Sequence, residues 1–257
     1  MIKAILIDVD NTLLDFDACV KAALRDGFEY FGLPEYREEM FPAFTKINNA
    51  LWHQIETGEL TREQLMQIRF DRIFEALGVD FDGVTFEDYF RRYLFDSAIH
   101  VEGASELLQY LSEKYVVCAA SNGPYAQQIH RLKNGGLAPY LTYAFISEQV
   151  GVEKPSRTFF DVCMRVLREG KHHVWTENLW EDEKAGWKED RRMVCGSLCD
   201  LEPEEVMMIG DSLTADMSGG IAYGTKTCWY DRDGKGLQQG MTVDYVVRSL
   251  GEIQDIL

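Results

Sequence analysis

The sequence predicts an α/β fold: a doubly wound parallel-sheet core with a helical bundle inserted after its first strand. Three features lead there. Ile5-Leu6-Ile7 is a short apolar run that ends abruptly in Asp8-Val9-Asp10-Asn11-Thr12, the form of a buried parallel strand with turn chemistry behind it. From Val101 onward, strand-like and helix-like segments alternate, which implies a parallel sheet with helices on both faces. Between these regions, residues 16 to 98 carry helical spacing and no good strand signal.

In the inserted region the apolar residues recur at i, i+3 and i+4. Asp17 is positioned to cap a helix whose apolar face reads Val20, Leu24, Phe28, Phe31, and Met40, Phe44, Ile47, Leu51 repeat that spacing. Thr61 and Gln64 form a capping-box pattern ahead of Met66, Phe70, Ile73, Leu77, and Phe86, Phe90, Tyr93 close the bundle. The expected division is therefore a core of residues 1–15 and 99–257 and a helical cap of residues 16–98.

In the core, Leu107, Leu108 and Leu111 mark a helix, and Val116 to Ala120 a buried strand ending in Ser121-Asn122-Gly123-Pro124. A helix with Ile129 and Leu132 follows, then a strand at Ala144-Phe145-Ile146, the stretch Gly151-Val152-Glu153-Lys154-Pro155, and a helix through Phe160 and Val166. Val206 to Ile209 is a strand ending in Gly210-Asp211, and Thr227 to Tyr230 and Tyr245 to Val247 complete the series. Residues 171–192 stand outside this scheme, with eleven charged side chains and Trp175, Trp180 and Trp187 in no clear period. A long loop of this kind is usually functional or disordered, and three tryptophans are unlike a disordered linker. It is expected to be a partly ordered excursion serving as a lid or a partner surface.

Composition excludes several classes of function. The chain has 257 residues, 46% hydrophobic and 27% charged, as in soluble globular proteins. A net charge of −17 argues against a nucleic-acid polymer as partner, because sequence-independent binding needs a basic surface. No run approaches the roughly 20 apolar residues of a membrane span, and Asp8 interrupts what could have been a signal peptide's apolar region. Six cysteines are scattered without a disulfide framework, consistent with a cytoplasmic location. His172, His173, Cys195 and Cys199 match no standard zinc-finger spacing.

The chemistry concentrates at strand ends, where ligands bind in open parallel sheets. Asp8 and Asp10 share one face of an extended backbone. Two carboxylates held that close call for a neutralising hard cation such as Mg²⁺; the same stretch also fits an Asx-turn after a strand. Ser121-Asn122 alone fits an ordinary turn, Lys154 a solvated lysine, and Asp211 with Asp216 acids at a helix start. Taken jointly, four polar clusters at the ends of four successive strands are poorly explained by independent turns.

In this order the clusters resemble the motifs of the haloacid dehalogenase superfamily, and the resemblance spans essentially the whole chain. Asp8-Val9-Asp10-Asn11-Thr12 is similar to its first motif, Ser121 to its second, Lys154-Pro155 to its third and Gly210-Asp211-Ser212-Leu213-Thr214-Ala215-Asp216 to its fourth. The resemblance implies a Rossmann-like core and a phosphomonoester hydrolase working through an aspartyl-phosphate. Asp8 would be the nucleophile, and Asp10 the acid for the leaving oxygen and later the base for water. Mg²⁺ would be held by the Asp8 carboxylate, the Asp10 backbone carbonyl and Asp211, with Asp216 direct or through water. Ser121 and the Asn122 backbone N–H would hold phosphoryl oxygens, and Lys154 would offset the surplus of negative charge. An acid at position 10 favours phosphate esters over carbon–halogen substrates, which have no alkoxide to protonate.

Asn49-Ala50-Leu51-Trp52 through Gly58-Glu59-Leu60-Thr61, Ile146 through Pro155, and Gly219-Gly220 with Thr227-Cys228-Trp229 are similar to the pyrimidine 5′-nucleotidase branch. That implies a small phosphate ester, a nucleoside 5′-monophosphate, as substrate. Trp52 and Phe16 would then face the base, since stacking on an aromatic tolerates any base; their helical spacing equally fits the interior of the cap. The sequence departs from that branch in the 171–192 excursion and at Glu102, where a proline is common. A sugar-phosphate phosphatase of the same fold, or a binding module built on the tryptophan-rich excursion, are the competing expectations. Oligomeric state is not encoded in any of these motifs.

Overall fold

The computed structural model describes residues 1–169 and 198–257. The 171–192 excursion lies outside the described residues, as do His172, His173 and Cys195. Two compact units are present, one of residues 1–15 and 100–257 and one of residues 16–99.

The first unit is built on a six-stranded sheet, all of whose pairings are parallel. In chain order the strands are β1 (Ala4–Ile7), β2 (Val116–Ser121), β3 (Tyr143–Ile146), β4 (Val206–Gly210), β5 (Lys226–Tyr230) and β6 (Tyr245–Val247). Their spatial order is β3-β2-β1-β4-β5-β6. The first strand therefore lies inside the sheet, between β2 and β4, in register Leu6 with Cys118 and Met208. Every residue of β1, β2, β3 and β4 is buried, which is why these strands read as unbroken apolar runs. The helices of this unit include α5 (Ala104–Lys114), α6 (Tyr125–Asn134), α7 (Ser147–Val150) and α8 (Arg157–Glu169), and one apolar layer combines Leu6, Cys118 and Met208 with Phe159, Phe160 and Cys163 of α8. Burial of each such large side chain contributes about 1.5–3 kcal/mol. No helix among the described residues is long and apolar enough to cross a membrane.

The second unit consists of α1 (Phe16–Tyr30), α2 (Phe41–Glu56), α3 (Arg62–Leu77) and α4 (Gly83–Asp96). Their apolar stripes meet in an aromatic interior in which Phe70 sits 4.7 Å from Phe86 and 5.0 Å from Phe90 between ring centroids. Thr61 and Gln64 form the capping box reciprocally, side chain to backbone at 3.2 and 2.9 Å. Asp17 differs from its expected place: α1 starts one residue earlier, so Asp17 lies in the first turn. There an acid complements the positive end of the helix dipole.

Three polar residues occupy this interior. Arg69 donates to both carboxylate oxygens of Glu87, at 2.9 and 2.5 Å, and to Asn48 Oδ1 at 3.1 Å. Its guanidinium also lies 4.8 Å from the Phe90 ring centroid. A buried ion pair is tolerable only when bidentate and fully hydrogen-bonded in this manner.

Candidate active site

The carboxyl ends of β3, β2, β1 and β4, four neighbours in the sheet, carry the side chains singled out above. Asp8 follows β1 and its backbone N–H still bonds to Ile209 O at 2.9 Å, so the strand pairing itself fixes the direction of the carboxylate. The chain then turns tightly: Leu13 and Leu14 both donate to Val9 O, and Asn11 adopts φ 58°. Asparagine tolerates that left-handed conformation better than most side chains.

Lys154, after β3, is 1% exposed. Its three ammonium protons are all matched by acceptors: Asp8 Oδ1 at 2.7 Å, Asp216 Oδ1 at 2.6 Å and Ala120 O at 2.6 Å. The backbone of Lys154 is tied to the β2 end by Asn122, which donates to Lys154 O at 2.9 Å and accepts from Lys154 N at 2.8 Å. The Asn122 side chain is thus committed to holding the lysine loop. Any bond from Asn122 to substrate falls to its backbone N–H.

Asp216 follows β4 after a single turn, Leu213–Met217, whose start is capped by Ser212 accepting from Ala215 N at 3.1 Å. The turn sends the Asp216 carboxylate back toward the strand, where Oδ2 accepts from Ser212 N at 3.1 Å. Gly210 is required here, since a Cβ at that position would collide with the Asp216 carboxylate. Carboxylate oxygens of Asp8, Asp211 and Asp216 lie within 4.8 Å of one another. Three acidic oxygens so close suit a hard divalent cation. The Asp10 carboxylate is not in this group; it turns instead to Gln128 and Arg131 on α6 (Tyr125–Asn134).

Burial pushes the Asp8 carboxyl up from its ordinary value of 3.8 to about 7; Lys154 opposes the shift, and the negative charges of Asp216 and Asp10 add to it. Burial lowers the Lys154 ammonium, but Asp216 and Asp8 more than offset this and hold it above the usual lysine range. The pair is coherent as a buried cation shared by two acids, one of which is easily protonated until more positive charge arrives.

Phe16 and Trp52 belong to the helical unit. Phe16 packs against its aromatic cluster, and Trp52 against Leu51, Ile55 and Leu65. Gln128 and Arg131 were not anticipated from the sequence. No periodic signal marks them: they stand three apart beside the apolar Ile129 and Leu132 on α6, and all four are buried.

The buried Asp8 carboxylate thus gathers Lys154 and the carboxylates of Asp211 and Asp216 from three strand ends, with the Ala120 carbonyl of β2 completing the partners of the lysine. A model of the haloacid dehalogenase-like hydrolases matches residues 2–224, and the chain belongs to that family. YfnB of Bacillus subtilis (strain 168), described as a HAD hydrolase, is 29% identical over 255 residues, covering 99% of this chain and 95% of YfnB. A crystal structure of YfnB bound to magnesium superposes with a TM-score of 0.79, covering 100% of this chain and 98% of that one. The pyrimidine 5′-nucleotidase PynA of Streptococcus pneumoniae (strain ATCC BAA-255 / R6) is 34% identical over 233 residues, 89% of this chain and 84% of PynA. The pyrimidine 5′-nucleotidase YjjG of Escherichia coli (strain K12) is 27% identical over 253 residues, 98% of this chain and 96% of YjjG.

Proposed function

We propose that the protein is a Mg²⁺-dependent phosphomonoesterase acting on nucleoside 5′-monophosphates, pyrimidine nucleotides in particular. The observation that carries the chemistry is the Asp8–Lys154–Asp216 ion cluster with Asp211 beside it. The nucleotide preference rests on similarity to PynA and YjjG.

Lys154 holds Asp8 Oδ1, so Oδ2 is the attacking atom. It forms a bond to phosphorus as the ester P–O bond breaks, and Asp10 delivers a proton to the departing oxygen. Asp10 then takes a proton from water, which attacks phosphorus and frees Asp8. Ser121 donates to a phosphoryl oxygen throughout. Lys154 balances the cluster of acids, and phosphoryl transfer draws mainly on such positioning and electrostatics. A divalent ion held by Asp8, Asp211, the Asp10 carbonyl and Asp216 would neutralise phosphoryl charge.

The test is phosphate release from a panel of nucleoside monophosphates and sugar phosphates, with Mg²⁺ and with chelator. Pyrimidine nucleotides are expected to exceed sugar phosphates in kcat/KM by about tenfold or more, roughly 1.4 kcal/mol of transition-state discrimination. A preference for sugar phosphates would overturn the nucleotide assignment, and no release from any ester would overturn the phosphatase.

Metal binding should also be visible in stability. Because the folded-state pKa of Asp8 is raised, its contribution to the metal-free protein falls as pH climbs from 3.8 towards about 7. Below about pH 7 a divalent ion must displace a proton from Asp8. Millimolar Mg²⁺ is therefore expected to raise Tm more at about pH 8 than at about pH 6. Equal shifts at both pH values, read by differential scanning fluorimetry, would contradict a site that includes the Asp8 carboxylate.

A further inference from the structure

Gln128 and Arg131 lie on one side of α6, both 0% exposed, and neither belongs to the motifs above. Arg131 Nη1 donates to Asp10 Oδ1 at 2.5 Å and to Gln128 Oε1 at 3.0 Å. Gln128 Nε2 donates to Asp10 Oδ2 at 2.6 Å and to Ser121 Oγ at 2.8 Å. The guanidinium has only donors, so it fixes the amide: oxygen toward Arg131, NH₂ toward the carboxylate and the hydroxyl.

This has a consequence for Ser121. Its Oγ accepts from Gln128 Nε2 and also from Gly123 N at 3.1 Å. A hydroxyl has two acceptor positions and one proton. With both acceptor positions taken, the proton must be given to something else, and a phosphoryl oxygen is the acceptor the reaction brings.

Gly123 is matched to this arrangement, since a Cβ there would stand 2.6 Å from Gln128 Nε2. Any other residue would push the amide away from both of its acceptors. Buried ionic networks are weak contributors to stability, and apolar side chains of similar volume often serve the fold as well. Stability alone therefore gives little reason for a fully buried arginine and glutamine here.

We propose that Gln128 and Arg131 are positioning residues that act on two groups at once. They fix the Asp10 carboxyl for its proton transfers, and they orient the Ser121 hydroxyl as a donor to the phosphoryl group. The proposal rests on the phosphatase reading above and adds two residues to it.

The experiment compares uridine 5′-monophosphate, whose alkoxide must be protonated to leave, with p-nitrophenyl phosphate, whose leaving group needs little help. kcat/KM is the quantity measured, since it reports on the steps up to loss of the leaving group. General acid catalysis contributes about 10²–10⁴-fold. Arg131→Met is expected to lower kcat/KM for the nucleotide by about 10²-fold and for the aryl ester by less than about tenfold, and Arg131→Lys to recover part of the difference. Gln128→Met, which also releases Ser121, should reduce both substrates.

An unshifted ratio of the two substrates in folded Arg131→Met, or no recovery by Arg131→Lys, overturns the clamp. If Arg131→Met does not fold, Arg131→Lys carries the same test, with an intermediate shift in the ratio expected and an unchanged ratio fatal. A wild-type protein that releases phosphate from neither ester overturns the nucleotidase reading on which the proposal rests. An active wild type whose variants keep its substrate ratio overturns the clamp alone.

Discussion

Asp8→Asn is expected to reduce turnover by at least about 10⁴-fold while leaving the protein folded, because a carboxamide cannot take part in the first displacement at phosphorus. The substitution changes almost nothing else. Asparagine has the same shape, its carbonyl oxygen can still accept from Lys154 Nζ, and the lysine keeps Asp216 and Ala120 as acceptors. Burial of Asp8 works against its charge, so neutralising it should leave the urea midpoint unchanged or slightly raised. Phosphate release under single-turnover conditions is the measurement, with the urea midpoint as the control for folding. Turnover at the wild-type rate would refute Asp8 as the nucleophile. Loss of both turnover and the folding transition would show that the carboxylate is needed for structure first.

The strands of the core were legible in the sequence because they are buried on both faces, so that nothing polar interrupts Ile5-Leu6-Ile7 or Val206 to Ile209. The four polar clusters were legible for the complementary reason: each breaks an apolar run at the point where the strand leaves the interior. Helices offered less. A polar residue on an amphipathic helix reads as solvent-facing, and periodicity does not reveal that one edge of the helix closes over another polar group. Gln128 and Arg131 were missed on that ground, and so was Arg69, whose partner Glu87 lies on a different helix. The side chain of Asn122 illustrates a third limit. The expectation for Asn122 concerned its backbone N–H alone, whereas its side-chain amide is tied to the backbone of a lysine 32 positions away. Pairings between loops of different strands depend on the sheet order β3-β2-β1, which no local pattern encodes.

Lys154→Met should be the most destabilising of these single changes, at about 3–5 kcal/mol in metal-free protein. Methionine matches the length of the lysine stem but leaves Asp8 and Asp216 facing each other, both buried, with no cation between them. The carboxylates can relieve this by taking up a proton. Asp8 already holds its proton up to about 7, and without the lysine it would hold it to higher pH still. The loss should therefore be greater at about pH 8 than at about pH 5. Mg²⁺ should restore part of it, since a divalent ion supplies positive charge to the same oxygens. Asp8→Asn supplies the internal control. If the cost comes from two unbalanced carboxylates, the double variant Asp8→Asn/Lys154→Met should be more stable than the sum of the two single effects predicts. Urea unfolding of the four proteins, with chelator and with Mg²⁺, measures that difference directly. Strict additivity, or an unchanged midpoint in Lys154→Met, would mean that the lysine does not balance the acids it touches, and its proposed part in the chemistry would fall with it.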